Sequence, residues 1–364
     1  MEKINFIAPI NKLSYGYCGY FILKELMKSN IDVAYFPISP HIEVDNPQDT
    51  QWIGEFYNRS QLSGGYKDSP AIRLWHQFQL DMFPHCTERI GWPIFELDTF
   101  SQREKNHLNN CDKIICCSKW GKEIILNQID KKSDEVIVAP LGVDLDIFNY
   151  NPTRLYDNKC IFLVCGKREI RKISDLIPSI FEKAFEQIDN VELWMAWTNI
   201  FESPEENTKW ENFYKNSKLG NKIRFIPRLN TLLDVAQIYN QIDCLWSCSR
   251  AEGFMLPALE AMACGLNIIA CNYSGVTEFL NHDNSYLIDI DNYEVAYDGK
   301  FFDGSSEGKW ARFEENQIDQ CIEYLRKVYK DKQEQNKLFN QIGQNKAQDF
   351  TWANTTQQIL EVLK

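Results

Sequence analysis

Along the chain, short apolar runs alternate with stretches whose apolar residues recur every three or four positions. This is the pattern of strands and helices in a parallel α/β sheet, and it occurs twice. The first series opens with a strand at "INFIAPI" (Ile4 to Ile10), passes a loop at "NKLSYGYCG", and enters a helix at "YFILKELMKS" and a strand at "IDVAYFPI". Further strands are predicted at "AIRLWHQF", "IGWPIFEL", "KIICCS" and "EVIVAP". The polar stretch that follows, "LGVDLDIFNYNPTR" with Gly142 and Pro152, marks a domain joint.

The second series starts at "CIFLVCGK" and continues into a helix from Asp175 to Ile188, with Leu176, Ile180, Phe181, Ala184 and Ile188 on one face. After the strand "VELWMAW" comes a well-punctuated helix: Ser203 as N-cap, Pro204 at the first helical position, Glu206 as capping-box partner and Gly220 as the stop. Strand "KIRFIP", helix "TLLDVAQIYN", strand "DCLWSCS", a helix opening at Pro257 and strand "NIIAC" complete it. The tail to "TTQQILEVLK" reads as helical. The division expected is residues 1–148, residues 149–335, and a C-terminal segment 336–364 crossing back to the first domain. The fold class expected is α/β: two Rossmann-like domains facing each other across a cleft, with ligands at the carboxyl ends of the strands.

One stretch at such an edge carries chemistry. In "SRAEGFMLPALEAMACG" (Ser249 to Gly265) the strand ends near Ser249 and Pro257 opens the next helix, so Gly253, Phe254, Met255 and Leu256 form a loop at a helix N-terminus. Amide groups there, with the helix dipole, suit a phosphate. Glu260, one turn inside the helix, is placed to accept hydrogen bonds from a vicinal diol, and Glu252 reaches toward whatever is attached to the phosphate. A second anchor is "CGKREIRKISD", where Lys167, Arg168, Arg171 and Lys172 crowd a turn after a strand. Fixed cations of this kind stabilise the charge on a departing diphosphate.

Composition narrows the partners. A net charge of -12 argues against nucleic acid, which needs a broad basic surface. No apolar run reaches the length of a membrane span, and "MEKINFIAPINK" is too polar for a signal peptide, so the chain reads as cytoplasmic. The amphipathic, basic segment "KWGKEIILNQIDKK" leaves a peripheral membrane contact open. The 12 cysteines are scattered without C-x-x-C pairs and read as reduced thiols. Five histidines without paired spacing make a metal site improbable. The sequences "DLD" (Asp144 to Asp146) and "DID" (Asp289 to Asp291) do not sit where a metal-binding D-x-D would be needed.

The stretch "SRAEGFMLPALEAMACGLNIIACNYSGVTEFL" resembles the retaining glycosyltransferases of family 4, which have the GT-B fold and an E-x7-E motif matching Glu252 and Glu260. The resemblance spans nearly the whole chain and is strongest from Gly166 to Phe279. It implies that Glu252 contacts the hydroxyls of the donor sugar, that Glu260 holds the ribose, and that Gly275 lies near the donor. Lys167 and Lys172 match the family's Arg and Lys pair on the diphosphate, with lysine in place of arginine at Lys167 and Ile173 where glycine is general; Arg168 or Arg171 could share the task. Gly16 in "SYGYCGYF" matches a loop that approaches the donor phosphates. Glu96 matches the glutamate of a Glu-Thr pair at a strand end, with Leu97 replacing the threonine. His76, at a predicted strand end, and Glu96 are candidates for the acceptor side. Backbone groups around Ile226 to Arg228 would contact the base.

The function expected is transfer of a sugar from a UDP- or GDP-sugar to a hydroxyl of a glycan, a lipid-linked glycan or another acceptor, with retention and without an obligatory cofactor. Two alternatives stay open: a GT-B nucleotide-sugar epimerase, and a nucleotide-sugar-binding protein without turnover.

Overall fold

The apolar runs of the first half line up as one parallel sheet, and their side chains are buried on both faces, as a helix-covered parallel sheet requires. The computed structural model describes residues 3–152, 158–196, 198–304, 308–335 and 338–363. The first sheet comprises β1 (Lys3–Ala8), β2 (Asp32–Pro37), β3 (Ala71–Leu74), β4 (Arg89–Trp92), β5 (Lys113–Cys116) and β6 (Val136–Val138), in the order β2-β1-β3-β4-β5-β6. Its helices are α1 (Ser14–Lys28), α2 (Asp49–Ser63), α3 (Gln102–Asn109) and α4 (Lys119–Gln128).

The second sheet comprises β7 (Cys160–Cys165), β8 (Val191–Ala196), β9 (Ile223–Ile226), β10 (Cys244–Trp246), β11 (Asn267–Cys271) and β12 (Tyr286–Ile288), in the order β12-β11-β10-β7-β8-β9. Around it run α5 (Ile177–Phe185), α6 (Pro204–Lys215), α7 (Leu232–Tyr239), α8 (Leu256–Ala263), an antiparallel pair β13 (Tyr293–Val295) and β14 (Lys309–Ala311), α9 (Glu315–Gln335) and α10 (Gln341–Ala347). A last helix, α11, spans Trp352–Val362. In the first sheet the chain leaves β1 and β3 in opposite directions, and in the second it leaves β7 and β10 so. These are the switch points at which α/β folds bind ligands.

The chain divides into one compact unit of residues 1–142 with 350–364 and a second of residues 143–349. The expected joint after residue 148 is thus a few residues late, and the expected return from 336 begins only near 350. Residues 338–349 stay with the second unit because α10 packs on α8 and Asn340 donates its amide to Gly265 at 2.9 Å. Trp352 of α11 stacks on Phe21 of α1 with ring centroids 5.2 Å apart, and Gly142 gives it room: a Cβ there would lie 2.2 Å from the Trp352 nitrogen. Trp197 of the predicted strand, and Thr153 and Arg154 of the predicted joint, lie outside the described residues.

The apolar stripe of α5 lies as the periodicity requires, with Ile180, Phe181 and Ala184 buried and Leu176 and Ile188 packed at the margin of the core. Each large side chain buried there contributes about 1.5–3 kcal/mol. The helix itself is shorter at both ends than the predicted Asp175 to Ile188. Helix α6 has its capping box of Ser203 and Glu206 with Pro204 at its start. It ends at Lys215, however, and Gly220 opens a separate short turn, pressed against the Lys215 carbonyl. In α4, Trp120, Ile124, Ile125 and Leu126 pack into the first unit's core. The apolar face of this helix is thus turned into the core of its own unit. All cysteines but Cys86 are buried. Deep in the second unit, Lys332 of α9 lies 3.0 Å from Asp243, both side chains 2% exposed, and the second Asp243 oxygen accepts the Ile161 amide.

Candidate functional site

The turns leaving β7 and β10 are tied together at their backbones. The Arg250 amide donates to the Arg171 carbonyl at 2.7 Å, and the Ser249 hydroxyl donates to the same oxygen at 3.1 Å. The first turn bends through two left-handed residues, Gly166 (φ +129°) and Ile173 (φ +49°). Glycine suits the former, and the stem of Lys172 lies across it, 3.3 Å from where a Cβ would be. At Ile173 the glycine-type backbone is kept without the glycine. The left-handed conformation costs about 1–2 kcal/mol for a residue with a Cβ, and complete burial of the side chain offsets it.

This turn delivers cations onto Glu252. Lys172 Nζ and Arg171 Nη1, the latter at 3.1 Å, converge on Glu252 Oε1, and Arg171 also donates to the Ala251 carbonyl at 2.6 Å. Burial of the Glu252 carboxyl pushes its pKa up, but the charges of Lys172 and Arg171 outweigh this and hold it at about 2. The cluster extends to a residue that sequence reasoning missed. Glu169, 5% exposed, takes Arg171 at 2.7 Å and Lys167 at 3.4 Å. A carboxylate in a basic loop reads as solvated, and no sequence signal marked it as buried.

Lys167 is therefore not brought to Glu252. It is drawn to Glu169 and lies over the rings of Phe201 and Phe301, at 5.1 and 5.0 Å from their centroids. Arg168 is turned away as well: it is buried, faces Glu211 at 3.6 Å and the Phe225 ring at 5.4 Å, and keeps Nε without a hydrogen-bond partner. Arg228 is exposed on the loop after β9.

The Glu252 loop is held from below. Its amide donates to Ser274 Oγ and its carbonyl accepts the Gly275 amide, both at 2.9 Å. A Cβ on Gly275 would stand 2.0 Å from the Gly253 carbonyl, so only glycine permits this approach. Phe254 and Met255 bury their side chains, Phe254 against Phe279 with centroids 5.0 Å apart, and Met255 turns left-handed (φ +77°) as the N-cap of α8. Pro257 is the second helical residue rather than the first. The amides of Gly253, Phe254, Met255 and Leu256 carry no hydrogen bond among the described residues, an arrangement suited to an anion. Glu260, half-buried, accepts the Tyr239 hydroxyl at 3.0 Å. Desolvation pushes its carboxyl up to about 7, with the Tyr239 bond acting in the opposite direction.

In the first unit, Gly16 belongs to the first turn of α1 instead of the predicted loop, since the helix starts at Ser14. Its missing side chain admits Asn11, whose carbonyl would be 2.2 Å from a Cβ. The neighbouring Tyr15 gathers both acceptor-side candidates at one sheet edge. Its ring lies 4.8 Å from that of His76 and 5.4 Å from Trp75, and its hydroxyl donates to the Ile94 carbonyl at 2.8 Å. Burial, and next the charge of Glu96, push the Tyr15 hydroxyl well above its ordinary range. Glu96 itself stands in the loop beyond β4, not at a strand end, because Pro93 ends the pairing after Trp92. No group of His, Cys, Asp and Glu among the described residues is arranged to hold a metal ion. Asp144 accepts the Asp146 amide in a local turn, and Asp291 accepts the side-chain amides of Asn316 and Gln317.

Two Rossmann-like units, with a cation–carboxylate cluster at the switch point of the second, have the architecture of GT-B glycosyltransferases. Residues 148–299 match the model of the family described as glycosyl transferases group 1. The chain is 35% identical over 199 residues to an uncharacterized glycosyltransferase of Haemophilus influenzae, covering 53% of this chain and 51% of that protein. It is 26% identical over 133 residues to the N-acetyl-alpha-D-glucosaminyl L-malate synthase of Bacillus anthracis, covering 36% and 32%. The chain thus spans about half or less of the length of these relatives. Among solved structures, sucrose-phosphate synthase from Thermosynechococcus elongatus superposes with a TM-score of 0.72 at 16% identity, covering 99% of this chain and 98% of that one. HepE from Anabaena in complex with UDP-glucose does so with a TM-score of 0.68 at 16% identity, covering 100% and 99%. The fold is GT-B, and the match to the glycosyl transferases group 1 model falls within the second unit.

Proposed function

We propose that this chain transfers a sugar from a nucleoside-diphosphate sugar to a hydroxyl acceptor, with retention of the anomeric configuration. The observation that carries the reading is the convergence of Lys172 and Arg171 on Glu252 beside unoccupied helix-terminal amides. In the free protein Glu252 neutralises both cations. An arriving diphosphate competes for them and for the amides of Gly253 to Leu256, which releases Glu252 to accept hydrogen bonds from sugar hydroxyls. Departure of the nucleoside diphosphate concentrates negative charge where Lys172 and Arg171 stand, and fixed cations stabilise that state more than the ground state. Glu260 holds the ribose diol. Lys167 acts more remotely, by keeping Glu169 from drawing Arg171 wholly to itself. The acceptor proton passes to the leaving diphosphate oxygen on the same face of the sugar. On the first unit, Tyr15, His76 and Glu96 are assigned to the acceptor side.

UDP is the favoured nucleotide, since HepE, with the same fold, is described in complex with UDP-glucose. GDP-sugars stay open, as does the acceptor, whether glycan, lipid-linked glycan or small hydroxy compound. Incubation with UDP-glucose, UDP-N-acetylglucosamine and GDP-mannose, followed by proton NMR, tests the reading. Acceptor-dependent release of nucleoside diphosphate, with the anomeric coupling of the donor kept in the product, is expected. A changed sugar without release would reveal an epimerase, and binding without turnover would make the chain a receptor for nucleotide sugars. Either outcome overturns the proposal.

A further inference from the structure

Glu260, to which the proposed reaction gives the ribose, differs from Glu252 in having no cation beside it among the described residues. One oxygen, Oε2, accepts the Tyr239 hydroxyl at 3.0 Å, and the other, Oε1, carries no hydrogen bond among the described residues. The terminal torsion of a glutamate is broad, so a carboxylate without a fixed partner presents its oxygens over a wide range of directions. Tyr239 removes that freedom.

The anchor is itself rigid. Tyr239 is the last residue of α7, whose start is fixed by the capping box of Thr231 and Asp234. It is 1% exposed, and its ring packs on Phe148 with centroids 5.9 Å apart. Burial, and after it the neighbouring Cys165 thiol and Glu260 itself, hold the hydroxyl far above its ordinary range, with Cys264 as the remaining titratable neighbour. The hydroxyl therefore keeps its proton and acts as a donor. On Glu260, burial favours the acid, and the Tyr239 bond is the opposing influence that favours the carboxylate. The half-buried carboxyl thus has one oxygen tied to the core and one left for a ligand.

We infer that Tyr239 is a positioning residue for the nucleotide: by anchoring Oε2 of Glu260 it directs Oε1 to the ribose hydroxyls. This rests on the assignment of the ribose to Glu260 in the proposed function, but it is read from binding and does not require turnover.

Calorimetry on the full chain with UDP, GDP and their 2′-deoxy counterparts, from pH 6 to 9, tests it. The parent should prefer the ribonucleotide of the better-bound pair about tenfold at pH 8, as expected for one hydrogen bond to a carboxylate. That preference should develop as pH passes 7, where the Glu260 carboxyl ionises. Tyr239→Phe keeps the ring on Phe148 and removes only the hydroxyl. It should cut the preference at pH 8 to about twofold and move its onset to higher pH, because a buried carboxyl without this donor holds its proton longer. A hydroxyl with a purely structural role would lower the melting temperature, or weaken both nucleotides alike, and leave the ratio and its onset unchanged; that result overturns the inference. A parent that binds none of the nucleotides, or shows no preference, overturns the ribose assignment and this inference with it. Acceptor-dependent release of nucleoside diphosphate, measured separately, shows whether the transfer reading fails as well.

Discussion

The guanidinium of Arg171 lies 3.1 Å from the Glu252 carboxylate that Lys172 also contacts, so one buried anion serves two cations. Glu252→Gln leaves Lys172 without this anion and Arg171 with Glu169 alone, and breaking buried pairs of this kind costs about 3–5 kcal/mol; urea denaturation at pH 7 measures it. The folded carboxyl titrates at about 2 against an ordinary 4.5. Its stabilisation is thus complete above about pH 4.5 and fades as pH falls toward 2. Parent and variant should converge across that window. Stability profiles that stay parallel from pH 7 down to 2.5 would contradict the pairing.

Lys172 and Lys167 should differ sharply. Lys172 contacts Glu252 directly, and loss of a group that stabilises developing charge lowers kcat by about 10²–10³. Lys167 is held by Glu169 and two phenyl rings, and Lys167→Ala should change kcat less than tenfold. Steady-state kinetics with the best donor decide the order. Equal losses would return Lys167 to the diphosphate.

Glu260 sets the pH dependence in the opposite direction. Its folded carboxyl titrates at about 7, above the ordinary 4.5, so the native state is penalised progressively as pH rises from about 4.5 through 7. Glu260→Gln should therefore melt at a higher temperature than the parent at pH 8.5 and close to it at pH 4.5. Donor affinity of the parent, read by calorimetry, should rise as pH passes 7, because the carboxylate accepts both hydrogen bonds of a diol and the acid does not.

Gly275→Ala places a methyl group 2.0 Å from the Gly253 carbonyl, and the Glu252 loop must move. Overpacking of this kind costs about 1–3 kcal/mol. Here it should also weaken UDP binding, since the displaced amides are those of the proposed anion site. Unchanged nucleotide affinity with a lowered melting temperature would separate the loop from the ligand.

Strands and their carboxyl-edge loops were legible because buried parallel strands are short apolar runs, and Glu252 and Glu260 were legible because their stretch follows a family pattern around a strand, a loop and a helix start. Glu169 was not, since its burial depends on a turn that folds Lys167 and Arg171 onto it, and charges so close in sequence read as solvated. The same applies to Lys167, whose direction is set by rings more than thirty positions away. Gly16 was placed in a loop because its stretch matches a glycine-rich loop, yet α1 begins at Ser14 and the missing side chain leaves room for Asn11. The turn after β7 lacks its expected glycine, but the left-handed conformation at Ile173 survives because the core takes up its side chain.

The Lys332–Asp243 pair ties the centre of the second sheet to a helix far along the chain. Asp243 ends the approach to β10 at the centre of the second sheet, and its counter-charge is synthesised 89 residues later. Before α9 is in place, that carboxylate lacks the counter-charge that the finished core gives it. A chain ending before residue 332 should be open to protease, and one that includes α9 should resist it.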